Sequence, residues 1–305
     1  MSATPSTPVP AFRGRIGRDA RSGHYAVPHR YRLHLSLSCP SSLRIAVTHH
    51  LLGLADVLPV TLLPAAPDAA DGGYTALRPL YDASAHQYPG PASVPVLSDG
   101  WTGRIVSTHA PDILRDLALR FGEGGPELYP RELGAEIDEV ARLCETSIHE
   151  AAQHAGELGI EGDGHEAPLG VLLGALDSLE RGLTGRRYIA GDRLTAADVH
   201  LWVTLVQLDT VHRWHLDAGA VHQVADHPRL WAYAQRLTAH PAFAAHLDAD
   251  GIARRHHARC RGREAAGAAM PIVDWEAARC APAETRPAAR QPRTPAATEA
   301  RTARP

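Results

Sequence analysis

The sequence predicts an α/β domain followed by an all-α domain, and three observations carry that prediction. Residues 31–121 switch between strand-like and helix-like periods in the order β-α-β, then β-β-α. Residues 122–130 form a break rich in Gly and Pro. Beyond that break, every periodic stretch is helical.

The elements of the first half follow in order. Residues 31–37 (YRLHLSL) alternate apolar and polar positions, the pattern of a half-buried strand. Ser38-Cys39-Pro40 ends it, and an apolar-periodic helix is expected over 43–54. A second strand is expected within 57–63. Residues 64–90 are rich in Ala, Asp, Gly and Pro and read as a loop with one short helical piece near 74–81. Residues 94–97, then Asp99-Gly100, then 104–106 read as a hairpin. A helix over 111–121 closes the half. A parallel unit joined to a hairpin is the thioredoxin-like arrangement.

In the second half, helices are expected at 131–155, 168–183, 195–212, 228–240 and 241–246. Thr195 and Asp198 make an acidic relative of the capping box, a structural cap in which each side chain satisfies the other's backbone N–H. The apolar face Val199, Trp202, Val203 and Val206 then enters the core. The resulting division is a flexible arm at 1–27, a thioredoxin-like domain at 28–122, a helical domain at 130–250, a C-terminal extension at 251–280 and a disordered tail at 281–305 rich in Pro, Ala, Arg and Thr.

Cys39 is the residue with the clearest chemical meaning. It stands between a strand and a helix, and Pro40 suits the first helical position, where a missing N–H costs nothing. Free backbone N–H groups and the positive end of the helix dipole favour a thiolate at such a position, which makes a nucleophilic sulfur. The alternative is a small buried core cysteine.

Composition narrows the classes. The 305-residue chain has a formal net charge of −3, so nothing electrostatic points to nucleic acid. No apolar run approaches the ~20 residues that span a bilayer, and no membrane partner is expected. Residues 1–10 lack the apolar core of a signal peptide, so a cytoplasmic protein with reduced cysteines is expected. The cysteines at 39, 144, 260 and 280 form no CxxC and no zinc pattern. The 19 His residues are scattered, and His49-His50, His212/His215 and His256-His257 have no metal-site frame, so no metal is expected. Cys144, Cys260 and Cys280 read as inert, Arg44 as solvated or helix-packing, Asp209 as structural and Trp101 as packing at the hairpin turn.

Five segments carry a resemblance to a family. They are residues 12–17 (FRGRIG), 31–40, 187–198 (RYIAGDRLTAAD), 205–211 (LVQLDTV) and 230–233 (LWAY). The chain resembles the Xi-class glutathione transferases, the glutathionyl-hydroquinone reductases, over roughly residues 12–275. The resemblance implies the glutathione transferase fold, with Cys39 as the nucleophile. In that chemistry the thiolate attacks the sulfur of a glutathionyl-hydroquinone, forms a mixed disulfide and releases the hydroquinone. Cys39-Pro40-Ser41-Ser42 holds no second Cys, so an external thiol must resolve the disulfide. Val94-Pro95 matches the family's cis-proline turn, where Val94 would pair its backbone with the thiol ligand.

Several positions depart from the family. Where the motif carries Trp, this chain has Ser41. The Glu-Ser pair that holds the γ-glutamyl group falls at His109-Ala110. The ring-facing tyrosines fall near His256 and His257, and the one on the first long helix near Gln153. Imidazole can still donate a proton. Two explanations follow: the co-substrate is mycothiol instead of glutathione, with His109 facing a different group, or the site has become that of a non-catalytic aromatic binder or a pathway-specific biosynthetic enzyme. The leading expectation is a thiol-dependent reductase or transferase acting on thiol conjugates of quinones or other aromatic electrophiles, assembled as a homodimer.

Overall fold

The computed structural model describes residues 12–122, 125–158, 166–260 and 270–281. Its sheet has four strands in the order β2-β1-β3-β4: β1 (Tyr31–Leu35), β2 (Val60–Leu62), β3 (Val96–Asp99) and β4 (Arg104–Ser107). β1 runs parallel to β2 with Leu33 opposite Val60, and antiparallel to β3 with Leu33 opposite Leu97. β3 and β4 form the expected hairpin.

Alternation along the strands sorts side chains between the sheet's two faces. Tyr31, Leu33, Leu35, Leu97 and Val106 enter the large core shared with the helical half. Val96 and Ile105 point the other way and join Tyr74, Leu77 and Tyr81 in a smaller cluster under α2 (Arg78–Ser84). On that same face the His34 ring is 3.0 Å from the Ser98 hydroxyl.

Local chemistry shifts several boundaries from their expected places. β1 stops at Leu35 instead of residue 37, because the Ser36 and Ser38 hydroxyls turn to the carbonyls of Pro64 and Ala65 at 2.9 and 2.5 Å. α1 covers Pro40–Leu51, three residues earlier than expected, since Pro40 itself opens the first turn. It ends before Gly53, whose φ of +65° is a left-handed conformation that suits Gly. The helix expected at 111–121 is α3 (Ala110–Asp116) running into a π-helical turn, Leu117–Phe121. The long helix expected at 131–155 is α4 (Gly134–Arg142), a π-helical stretch Leu143–Glu150 and α5 (Ala151–Leu158).

α6 (Glu166–Gly182), α7 (Ala196–Thr210), α9 (Pro228–Thr238) and α10 (Pro241–Ala244) lie near their expected spans. α8 (Ala218–Ala225), α11 (Ala249–Arg259) and α12 (Trp275–Cys280) were not expected. No described helix is long and apolar enough to cross a membrane.

The N-terminal arm is also corrected. Residues 12–17 are not loose: Arg13 bridges to Ser107, Ile16 is buried, and its N–H donates to Asp116 at 2.7 Å. Arg15 donates to the same carboxylate at 2.6 Å. Of the rest of the expected arm, residues 18–27 are described and include the 3-10 turn Ala20–Ser22, whereas residues 1–11 and the tail beyond Ala281 lie outside the described residues.

Two buried carboxylates tie down the helical half. The Thr195–Asp198 capping box forms, and Asp198 also accepts from the Ile189 N–H at 2.9 Å and the Tyr233 hydroxyl at 2.6 Å. Asp209 accepts from the Ile272 and Val273 N–H groups and the Trp275 indole at 2.9, 3.1 and 2.9 Å. Asp209 is therefore structural, as expected: it pins α12 to the end of α7. Asp209→Ala strands those donors, and should lower stability by about 3 kcal/mol. A urea titration of the variant should show a lower midpoint with a slope close to that of the parent chain.

Candidate active site

Cys39 occupies the N-cap of α1 with extended backbone (φ −88°, ψ 124°), and Pro40 is the first helical residue. Its N–H donates to the Ser36 carbonyl at 2.9 Å, which fixes the turn between strand and helix. The thiol is 8% exposed, and the residues on either side of it, Ser38 and Pro40, border a cleft of about 500 Å³. The remaining walls come from the helical half: His149, Gln153, Gly156 and Glu157, then Gln207 and His212, then Ile252, Arg255, His256 and Cys260.

One wall of the cleft is rich in imidazole. His149 Nδ1 is 2.9 Å from His212 Nε2, and the rings of His215 and His256 have centroids 5.0 Å apart. Burial lowers the His212 pKa to about 3, with the neighbouring His149, His215 and His256 adding to the effect. Burial lowers His149 as well. Both rings are neutral at pH 7 and hold or offer hydrogen bonds without carrying charge. Arg255 closes the cleft from α11, donating to the Tyr74 hydroxyl at 2.8 Å and to the Ala65 carbonyl at 3.3 Å.

A second cavity, of about 520 Å³, is lined from α1 by Ser41 and Arg44. Ser41, Arg44, Ala110, Asp112, Arg15 and His200 are among its lining residues. Burial tends to raise the Asp112 carboxyl, but its hydrogen bond to Arg13 and the charges of His109 and Arg15 hold it below the usual range. Arg44, expected as solvated or packing, is largely buried; it reaches Thr204 at 3.4 Å and Glu145 at 3.6 Å.

The other expected site residues divide. The Val94–Pro95 peptide is cis, as the resemblance implied. Val94 packs against the smaller cluster, and neither it nor Pro95 lines these cavities. His109 stands at the N-cap of α3 with Nδ1 2.9 Å from Asp112, and its ring also lies outside the cavity linings, because the carboxylate one helical turn on holds it. His256 is buried in the cleft wall, whereas the adjacent His257 is exposed against Trp214, since neighbouring helix positions face different ways. Gln153 sits at the cleft's edge, bonded to Glu157 at 2.8 Å. Cys144 is fully buried and its thiol is pushed up to about 11 by burial, so it is inert as expected.

Sequence reasoning missed His149, Arg255 and Glu157 as cleft residues. His149, Gln153 and Gly156 recur at helical spacing, a signal available in the sequence. Arg255 had no such signal, because its partners come from a loop 181 and 190 residues away.

Comparison with known proteins places this geometry. Residues 165–236 match the family model described as glutathione S-transferase, C-terminal domain. The chain is 31% identical over 252 residues to the glutathionyl-hydroquinone reductase PcpF of Sphingobium chlorophenolicum, covering 76% of this chain and 78% of that protein. It is similar in structure to a glutathione transferase from Gordonia bronchialis, with a TM-score of 0.74, 30% identity and 83% and 84% of the two chains covered. The glutathione-bound structure of YqjG from Escherichia coli K-12 matches with a TM-score of 0.71 at 27% identity, covering 81% of this chain and 87% of that one.

A pH dependence follows from the half-buried imidazole of His200 in the second cavity. Burial, and then the charge of Arg44, lowers His200 to about 3 in the folded chain. The unfolded chain binds that proton near pH 6.5. Stability from this group is therefore complete above about pH 6.5 and falls as the pH drops towards about 3, by up to about 1.4 kcal/mol per pH unit. Denaturant midpoints at pH 7 and pH 5 should fall less for His200→Gln than for the parent chain.

Proposed function

The chain belongs to the Xi-class glutathione transferases, the family of the glutathionyl-hydroquinone reductases, and is a glutathione-dependent thiol transferase or reductase; on that premise we propose that Cys39 is its nucleophile and that the cleft beside it takes an aromatic, quinone-like group. The observation that carries the proposal is the placement of Cys39 at a helix N-terminus, between two residues that border a cleft wide enough for a ring.

The Cys39 thiolate attacks the sulfur of a glutathionyl-hydroquinone. A sulfur–sulfur bond forms as the carbon–sulfur bond breaks, and the electron pair of the broken bond passes to the ring carbon, which takes up a proton. Hydroquinone departs and Cys39 remains as a mixed disulfide. A second thiolate attacks the glutathionyl sulfur, forming the oxidised dithiol and returning Cys39 as thiolate. That second thiol comes from solution, because Ser41 and Ser42 stand where a local resolving cysteine would have to be.

The non-sulfur part of the thiol is assigned to the cavity beyond Ser41, with Arg15 and Arg44 facing its carboxylates and Asp112 its ammonium. The His109 ring lies 2.9 Å from Asp112 and faces that carboxylate instead of the ligand. Across the cleft, the neutral His149–His212 pair is hydrogen-bonded within itself and keeps one N–H to donate to a ring oxygen, with His256 and Gln153 further along the wall. Val94 and Pro95 shape the thiol side of the fold, and His257 is left without a role in binding. Thr195 and Asp198 hold α7 in place. Glutathione is the co-substrate in this reading; mycothiol, which lacks a γ-glutamyl ammonium, is the competing thiol. The enzyme acts as a cytoplasmic homodimer, with residues 28–122 carrying Cys39 and the opposite wall shared by residues 130–250 and the extension at 251–280.

The test is turnover of glutathionyl- and mycothiol-hydroquinone conjugates with the matching free thiol, following hydroquinone and oxidised dithiol together. Equal amounts of the two products are expected, and Cys39→Ser should lower the rate at least about 1,000-fold. Turnover that survives in Cys39→Ser would remove Cys39 from the mechanism. The conjugate with the higher kcat/KM names the thiol.

A further inference from the structure

The far wall of the cleft holds a group of metal-ligating side chains, of which the proposed function places only His256 beside the ring, without a step of its own. His215 lies in the 3-10 turn after α7, while His256 and Cys260 come from the last turn of α11 and its C-cap. One ligand atom from each lies within 4.8 Å of the others, and Cys260 Sγ is 3.9 Å from His215 Nε2. A tetrahedral zinc with bonds of ~2.0–2.3 Å separates its nitrogen and sulfur ligands by about 3.3–3.7 Å. The group is therefore near a coordinating arrangement, and side-chain rotations of about an ångström complete it.

We propose that His215, His256 and Cys260 bind a late first-row divalent cation, with zinc as the preferred ion. The chemistry of the set points to that class. Two imidazoles and one thiol, without a carboxylate, suit zinc over magnesium or calcium, which take oxygen ligands. The backbone fixes the pair on α11, because residues four apart share one face of a helix and the Cys260 N–H donates to the His256 carbonyl at 2.7 Å. The third ligand is brought in by a close approach: a Cβ at Gly156 would lie 2.6 Å from the His215 Cβ, so Gly156 leaves the room that the His215 turn occupies.

All three ligands border the cleft instead of being sealed in the core. Three protein donors leave a tetrahedral ion one further position, the pattern of an open site, which water or an anionic atom of a cleft ligand fills. Cys260 binds the ion as its thiolate. The site is separate from Cys39, and its occupancy can be read without turnover.

The experiment is a cobalt(II) titration of the full reduced chain by absorption, followed by displacement with zinc. The proposal expects one ion per chain, visible bands of tetrahedral intensity and a near-ultraviolet sulfur-to-cobalt charge-transfer band. That band should persist in Cys39→Ser and disappear in Cys260→Ser. His215→Gln and His256→Gln should each weaken binding by about 100-fold or more, while the exposed His257→Gln leaves it unchanged. Circular dichroism melts confirm that each variant is folded before its titration counts. A wild-type titration without the charge-transfer band, a band lost in Cys39→Ser instead of Cys260→Ser, or affinity unaltered in both folded His215 and His256 variants would each overturn the proposal.

Discussion

The cleft depends on the packing of α1 against α7. α1 carries Cys39 at its first turn, and α7 is buried on nearly every side, from Ala196 to Asp209. Apolar burial of Leu43, Ile45 and Val47 on one helix and Val199, Trp202, Val203 and Val206 on the other holds the two halves in a single core. Arg44 works at the margin of that interface, with its guanidinium between Thr204 and Glu145. Loss of this packing would separate the sulfur from the imidazole wall, whatever the state of either alone.

Much of that architecture was legible in the sequence, for identifiable reasons. Strand alternation in residues 31–35 and the Cys-Pro step locate the nucleophile, since Pro40 reads as a helix start before any coordinates are known. The Thr195–Asp198 cap is a local device, and it appears where its four-residue spacing puts it. The boundary errors are equally physical. Ser36 and Ser38 leave the strand because they find carbonyls at residues 64 and 65, which no local pattern reports. Residues 12–17 join the fold through Asp112 and Asp116, about 100 residues away.

The site was legible on one side only. Position in a strand–turn–helix unit gives Cys39, but the opposite wall is assembled from three helical segments whose order of approach is a tertiary property. His212 and His215 were visible as a pair, and His256 and Cys260 share helical spacing; only the fold brings these two groups together with His149. The same distinction explains His257, which lies next to a cleft residue in sequence and faces away from the cleft in space. It also explains His109, which falls at the family's ligand position but is turned onto Asp112. The cleft is thus lined with imidazoles where the family resemblance led one to expect phenols. Both groups can donate a hydrogen bond to a ring oxygen, but only imidazole also offers a metal-binding nitrogen.

The central claim is that Cys39 forms a covalent bond with the thiol of its substrate. Intact mass after a single turnover, with a glutathionyl-hydroquinone conjugate and no free thiol, tests it most directly. The account predicts one glutathionyl adduct per chain, mapped to Cys39 by peptide digestion, absent from Cys39→Ser and removed by added thiol. Hydroquinone released without any adduct, or an adduct of the same stoichiometry in Cys39→Ser, would contradict it.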